Sequence, residues 1–254
     1  MDLPRVVFFG RTGADALAFF NLDLAAWRGC RVLDCPGGPG SFTALARAAG
    51  VESVAADPLY TLSLPELERR CRDDIAFTME RLALSPTLRP DFDLSRFRQG
   101  KLEALEAFLA DRREHPEAYL SASLPCLPFA AARFDLVLCG HLLFCYAPIA
   151  DGGLSERPDF DLRWHRQALA ELLRVSRREV RIYPAHTIER QPRVHPWVEP
   201  LLASLPPEWQ GQLEPTVYDE GFDGETPMLR LRRHSTPSPS GPGAPSSRIP
   251  HQIS

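Results

Sequence analysis

The sequence predicts an α/β protein built on a doubly wound, mostly parallel sheet, and three observations carry that expectation. Apolar runs of strand length alternate with segments whose apolar residues repeat at helical spacing, the pattern of a parallel sheet covered by helices. The stretch VLDCPGGPGSF, from Val32 to Phe42, joins an apolar run to a helical one through a glycine-rich turn, where α/β proteins hold nucleotides. Near the end, TVYDEG and PMLRLRR are two strand-like runs with no room for a helix between them, as an antiparallel hairpin at a sheet edge requires.

Each element follows in order. RVLDC supplies a strand with Asp34 at its carboxyl end. Gly37, Gly38 and Gly40 let the backbone turn tightly and approach a ligand, and Ser41 offers its hydroxyl as the N-cap of the helix FTALARAAG. VESVAADP reads as the next strand and ends on Asp57, 23 residues after Asp34 (57 − 34), which is the βαβ plan with an acid placed for a ribose. From Pro58 to Glu117 the chain is longer than one crossover helix needs. Leu67, Cys71, Ile75, Met79 and Leu82 repeat at helical spacing, as do Leu102, Leu105, Phe108 and Leu109, with Ser85-Pro86 and Arg89-Pro90 between them. Residues 58–118 are therefore expected as a helical insertion, either packed on the core or lying over the strand ends as a lid. A strand near YLSAS, the strand FDLVLCG, a helix in DLRWHRQALAELLRV and the strand EVRIYP complete the alternation before the hairpin. Residues 1–233 are expected as one domain, and the Pro/Ser/Gly-rich residues 234–254 as a disordered tail.

With 254 residues, 44% of them hydrophobic, the chain can bury one sizeable core and needs no second domain. Its formal net charge of −4, with both signs interspersed, offers no basic face, so a nucleic-acid partner is not expected. The six cysteines, at 30, 35, 71, 126, 139 and 145, contain no CxxC pair. They read as reduced core thiols of a cytoplasmic protein, with neither a disulfide frame nor a metal site expected. No segment approaches the ~20 apolar residues of a membrane span, so no membrane association is expected.

Taken together, VLDCPGGPGSF, VAADP and LPFAAARFDLVLCGHLLF resemble the class I S-adenosylmethionine-dependent methyltransferases, over roughly Cys30 to Arg233. The resemblance implies a seven-stranded Rossmann-like sheet, S-adenosylmethionine as cofactor and methyl transfer to a small-molecule acceptor. The family's first motif reads Asp/Glu-x-Gly-x-Gly-x-Gly. Here Asp34 takes the acidic place and Gly38 and Gly40 the last two glycine places, while Pro36 replaces the first glycine and Gly37 adjoins it. By the resemblance this loop cradles the methionine part of the cofactor, Asp34 lies near its ammonium, and Asp57 accepts both ribose hydroxyls. Family members often carry an acid for the adenine amino group shortly before an LPF sequence, here Leu127-Pro128-Phe129. Ser121, Ala122 and Ser123 occupy those places, leaving a backbone amide or the Ser123 hydroxyl to serve. Gly140 and His141 end the strand where the family places the transferred methyl and the substrate. His141 is the expected base if the acceptor is a hydroxyl or an amine, whereas a carboxylate or thiolate needs none. Within the superfamily the chain also resembles small bacterial methyltransferases, a likeness that identifies no substrate.

Tyr60, Tyr146, His165, Tyr183 and His186 are further candidates, each with packing as the plainer reading, and Arg11 either reaches the cofactor carboxylate or solvates a turn. Two rivals remain at this stage. A dinucleotide-dependent oxidoreductase would need a third glycine where Thr43 stands, and a degenerate fold of the same family would bind cofactor or a protein partner without turnover. S-adenosylhomocysteine, NAD(P) and a protein partner are the ligands that separate the three. The sequence leaves the acceptor and the oligomeric state open.

Overall fold

The computed structural model describes residues 3–234, so the expected tail lies outside the described residues except for His234. Seven strands form one sheet in the order β3-β2-β1-β4-β5-β7-β6. They are β1 (Arg31–Asp34), β2 (Glu52–Ala56), β3 (Tyr119–Leu120), β4 (Phe134–Gly140), β5 (Ser176–Tyr183), β6 (Trp209–Glu214) and β7 (Met228–Arg233). β1 to β5 run parallel and β7 is antiparallel to both neighbours, the mixed sheet that the methyltransferase resemblance implies. Strand order reverses between β1 and β4, which opens a crevice at their carboxyl ends.

The centre of the sheet follows from its residue types. β4 is apolar apart from Asp135 and buried on both faces, and its side chains alternate. Leu136 and Leu138 pack with Val32, Phe20, Phe42 and Tyr183 on one face. Val137 and Cys139 pack with Leu33, Val180, Ile182 and α5 (Leu162–Val175) on the other. Two helices the sequence reading passed over, α1 (Gly13–Phe19) and α6 (Val198–Leu202), complete these layers beside α2 (Phe42–Ala48).

The inserted residues form α3 (Leu64–Ala83) and α4 (Leu94–Glu114), close to the expected spans. Their apolar stripes meet over the β2–β3 edge, where Leu67, Cys71, Ile75, Leu105 and Phe108 pack around Tyr60 and Tyr119. Most of both stripes is therefore core.

Three details differ from the sequence expectation. TVYDEG is not a strand: the partner of β7 is WQGQLE, and Thr216–Gly221 run as a loop after Pro215. That edge strand is largely exposed and polar, so it shows no apolar run to find. Ser41 does sit at the N-cap of α2 but makes no capping bond, because its hydroxyl accepts from the Gly13 amide at 2.8 Å instead. Of the cysteines, Cys126 is exposed and Cys30 only half-buried, so four of the six are core thiols; all six are free.

Candidate functional site

The crevice holds a cleft of about 330 Å3. Every residue expected for cofactor or catalysis lines it: Asp34, Pro36, Gly37, Gly38, Gly40, Asp57, Ser123, Gly140 and His141. The topology does this directly, since β1, β2 and β4 are neighbours and each delivers its last residues to the same end of the sheet.

The turn after β1 is shaped by close approach. Gly38 has φ +52° and a side facing open space. Its amide donates to Asp57 Oδ2 at 3.2 Å, and its carbonyl accepts from the Tyr60 hydroxyl at 2.6 Å, which gives Tyr60 a bracing role. The amino-terminal segment presses on the other side. A Cβ at Gly10 would lie 2.2 Å from the Pro39 carbonyl oxygen, so only glycine permits the segment from Val6 to Arg11 to form a wall of the cleft. Thr12 and Asp15 then start α1 with a capping box, a T-x-x-D signal present in the sequence that marks this missed helix.

The two acids are buried without an ion pair. Asp34 makes no side-chain hydrogen bond and neither acid makes an ion pair among the described residues, although Asp34 is 8% and Asp57 6% exposed. Burial, and then the neighbouring Asp57, push the Asp34 carboxyl up to about 8. Burial likewise raises Asp57 to about 6, with the Leu59 and Gly38 amides and then the charge of Arg112 pulling the other way. Each Asp57 oxygen accepts one amide, Leu59 at 2.9 Å or Gly38 at 3.2 Å, and keeps a further lone pair.

His141 ends this wall with its Nε2 2.8 Å from Glu220 Oε1. Tyr183 donates to Glu220 Oε2 at 2.9 Å, and Arg11 approaches Oε1 at 3.4 Å. Burial, followed by the charge of Arg11, pushes His141 down to about 4. Burial works against ionisation of Glu220, but His141 and Arg11 outweigh it and hold its carboxyl well below the usual range. Glu220 is not evident from the sequence, because TVYDEG has the pattern of a strand and the structure makes it a loop.

The remaining candidates are mainly structural. Tyr146 accepts the Val7 amide at 3.0 Å. His165 accepts the Phe144 amide through Nε2, and its Nδ1 meets the Asp161 carbonyl oxygen at 2.9 Å. His186 Nδ1 lies 3.0 Å from the Thr187 carbonyl oxygen, with its Nε2 3.7 Å from Glu220. Ser123 sits at the cleft's rim beside Leu124. Among the described residues no group of three or more His, Cys, Asp or Glu is placed to hold a metal ion, and no helix is long and apolar enough to cross a membrane.

No protein-family model matches the chain. The uncharacterized protein MJ0045 of Methanocaldococcus jannaschii is 25% identical over 241 residues, covering 92% of this chain and 99% of the relative. Among solved structures, magnesium protoporphyrin IX methyltransferase from Synechocystis PCC 6803 with bound SAM is similar at a TM-score of 0.44 and 14% identity, covering 87% of this chain and 77% of that one. The PH0226 protein from Pyrococcus horikoshii OT3 is similar at a TM-score of 0.44 and 12% identity, covering 87% and 91%.

Proposed function

We propose that this protein transfers a methyl group from S-adenosylmethionine to a small-molecule acceptor. The observation that carries the reading is the pair of desolvated acids at the ends of adjacent parallel strands, beside a glycine turn and without an ion pair. A carboxylate withheld from water and left unpaired favours a cationic ligand. Asp34 suits the ammonium of the cofactor's methionine part, and the lone pairs left on Asp57 suit two ribose hydroxyls. The backbone of Pro36, Gly37, Gly38 and Gly40 forms the floor between them, while Ser123 and Gly140 line the walls on the adenine and methyl sides. When bound, the cofactor supplies a methyl group already activated on a sulfonium. The chain's part is then to orient the reactants and exclude water, a contribution that reaches ~7–11 kcal/mol at its limit. Phe19, Phe20, Phe160 and Trp164 give the cleft the apolar lining this needs.

A dinucleotide fits this cleft less well, because Thr43 stands where the dinucleotide turn carries its third glycine. Thermal denaturation with S-adenosylhomocysteine and with NAD+ tests the assignment. At a hundredfold excess over Kd, the first is expected to stabilise the protein by about 2.7 kcal/mol and the second not at all. Stabilisation by NAD+ alone would reverse the reading.

A further inference from the structure

A second chamber of about 100 Å3 adjoins the cleft, and Val7, Phe9, Arg11 and His141 line both. Most of its wall is apolar, with Leu82 from α3, Phe97 from α4, Leu88 and Phe92 from the connection between them, and Phe222 from the loop that carries Glu220. Arg89 fastens that connection to the same loop through Asp219 and through its own amide on the Gly221 carbonyl at 2.8 Å. A dry cavity of ~150 Å3 admits benzene, so this one takes a group of about four to six heavy atoms.

Several uncommitted polar atoms around the chamber can donate. Arg11 Nε is buried without a partner, and so is Oγ1 of the fully buried Thr78. Tyr146 accepts from the Val7 amide, which leaves its own proton to give. The carboxylate in the wall is already occupied, since Glu220 receives His141 on one oxygen and Tyr183 on the other. Behind Phe97 lies a second basic side chain: Lys101 Nζ is 4.1 Å from the Phe97 ring centroid, and the Arg11 guanidinium is 5.2 Å from it. Lys101 is 1% exposed, and burial followed by Arg11 lowers its amine well below the ordinary lysine value. A buried donor without a partner carries a desolvation cost that a ligand oxygen relieves.

We propose that this chamber holds the methyl acceptor and that the acceptor is a small apolar carboxylic acid, its carboxylate received by Arg11, Thr78 and Tyr146. The proposal rests on the reading of the main cleft as the S-adenosylmethionine site. A carboxylate oxygen forms the new O–CH3 bond as the S–CH3 bond breaks. The negative charge of the carboxylate and the positive charge of the sulfonium disappear together, leaving a methyl ester and a neutral thioether. No proton moves, so the reaction asks no base of His141, whose basicity burial has reduced. Thr78 lies on α3, so the insertion takes part in selecting the substrate.

The test is thermal denaturation of the full chain saturated with S-adenosylhomocysteine, with propanoate, butyrate and 2-methylpropanoate set against their primary amides. The acids are expected to raise the melting temperature and the amides to leave it unchanged. Thr78→Val is expected to weaken acid binding about tenfold while leaving S-adenosylhomocysteine affinity unchanged. With methyl-labelled cofactor, alkali should release the product's label as methanol. If the protein binds S-adenosylhomocysteine but no acid shifts its melting, or the amides shift it equally, the acceptor class is wrong and the cofactor reading stands. Failure to bind S-adenosylhomocysteine overturns the cofactor reading itself.

Discussion

The protein buries acids in two ways. Between β5 and β7, Glu179 receives Arg181 Nε at 2.5 Å and Arg230 Nε at 2.8 Å, and under α3 Asp74 receives Arg5, Arg70 and the Phe8 amide. In both places the donors outweigh burial and hold the carboxyl below its usual range. At the carboxyl ends of β1 and β2 the acids are also buried, but no arginine pairs with Asp34 or Asp57, Arg112 acting on Asp57 only through its charge, and both carboxyls rise. Acids that the chain itself pairs belong to the fold; acids it leaves desolvated and open are complementary to something that arrives from solution.

That contrast breaks if the two sets respond alike to mutation. Glu179→Ala strands the buried Arg181 guanidinium and is expected to cost about 3–5 kcal/mol in chemical denaturation, with S-adenosylhomocysteine affinity unchanged in the folded protein. Asp34→Asn should do the reverse. It removes no ion pair, so stability at pH 8 is kept or raised, while calorimetric affinity for S-adenosylmethionine falls by about 1–3 kcal/mol.

The pH dependence sharpens the comparison. Asp34 has a native value of about 8 against 3.8 in the unfolded chain, so between those values the native state holds the extra proton. Its contribution to stability therefore declines as pH rises through that window, by up to about 1.4 kcal/mol per unit, and Asp34→Asn flattens the slope. Binding of a cation runs the other way: S-adenosylmethionine affinity should rise between pH 6 and 8, by at most about tenfold per unit. The smallest expected effect is at the rim, where Ser123→Ala should lower S-adenosylhomocysteine affinity by about 0.5–1.5 kcal/mol if its hydroxyl meets the adenine.

Much of this arrangement was legible in the chain because it depends on local patterns. The strand–glycine turn–helix of Val32–Phe42 and the apolar run of β4 each carry their structure in adjacent residues, and parallel pairing then brings their ends together. What could not be read depends on long-range contacts. β6 is a polar strand whose existence rests on pairing with β7, and Glu220 reaches His141 from 79 residues away on a loop of no regular pattern. The wall built by Val6–Arg11 is likewise invisible locally, since the need for glycine at position 10 comes from Pro39. The hydroxyl of Ser41 went to a helix that sequence reading had not placed, so its expected cap was lost to a tertiary contact.

The most direct test is a calorimetric titration of S-adenosylhomocysteine into the intact protein and into Asp57→Ala. The account predicts saturable binding to the intact protein and a loss of about 1–3 kcal/mol in the variant, as the ribose hydroxyls lose their acceptor. No binding to the intact protein at millimolar ligand, or equal affinity in the two, would contradict it.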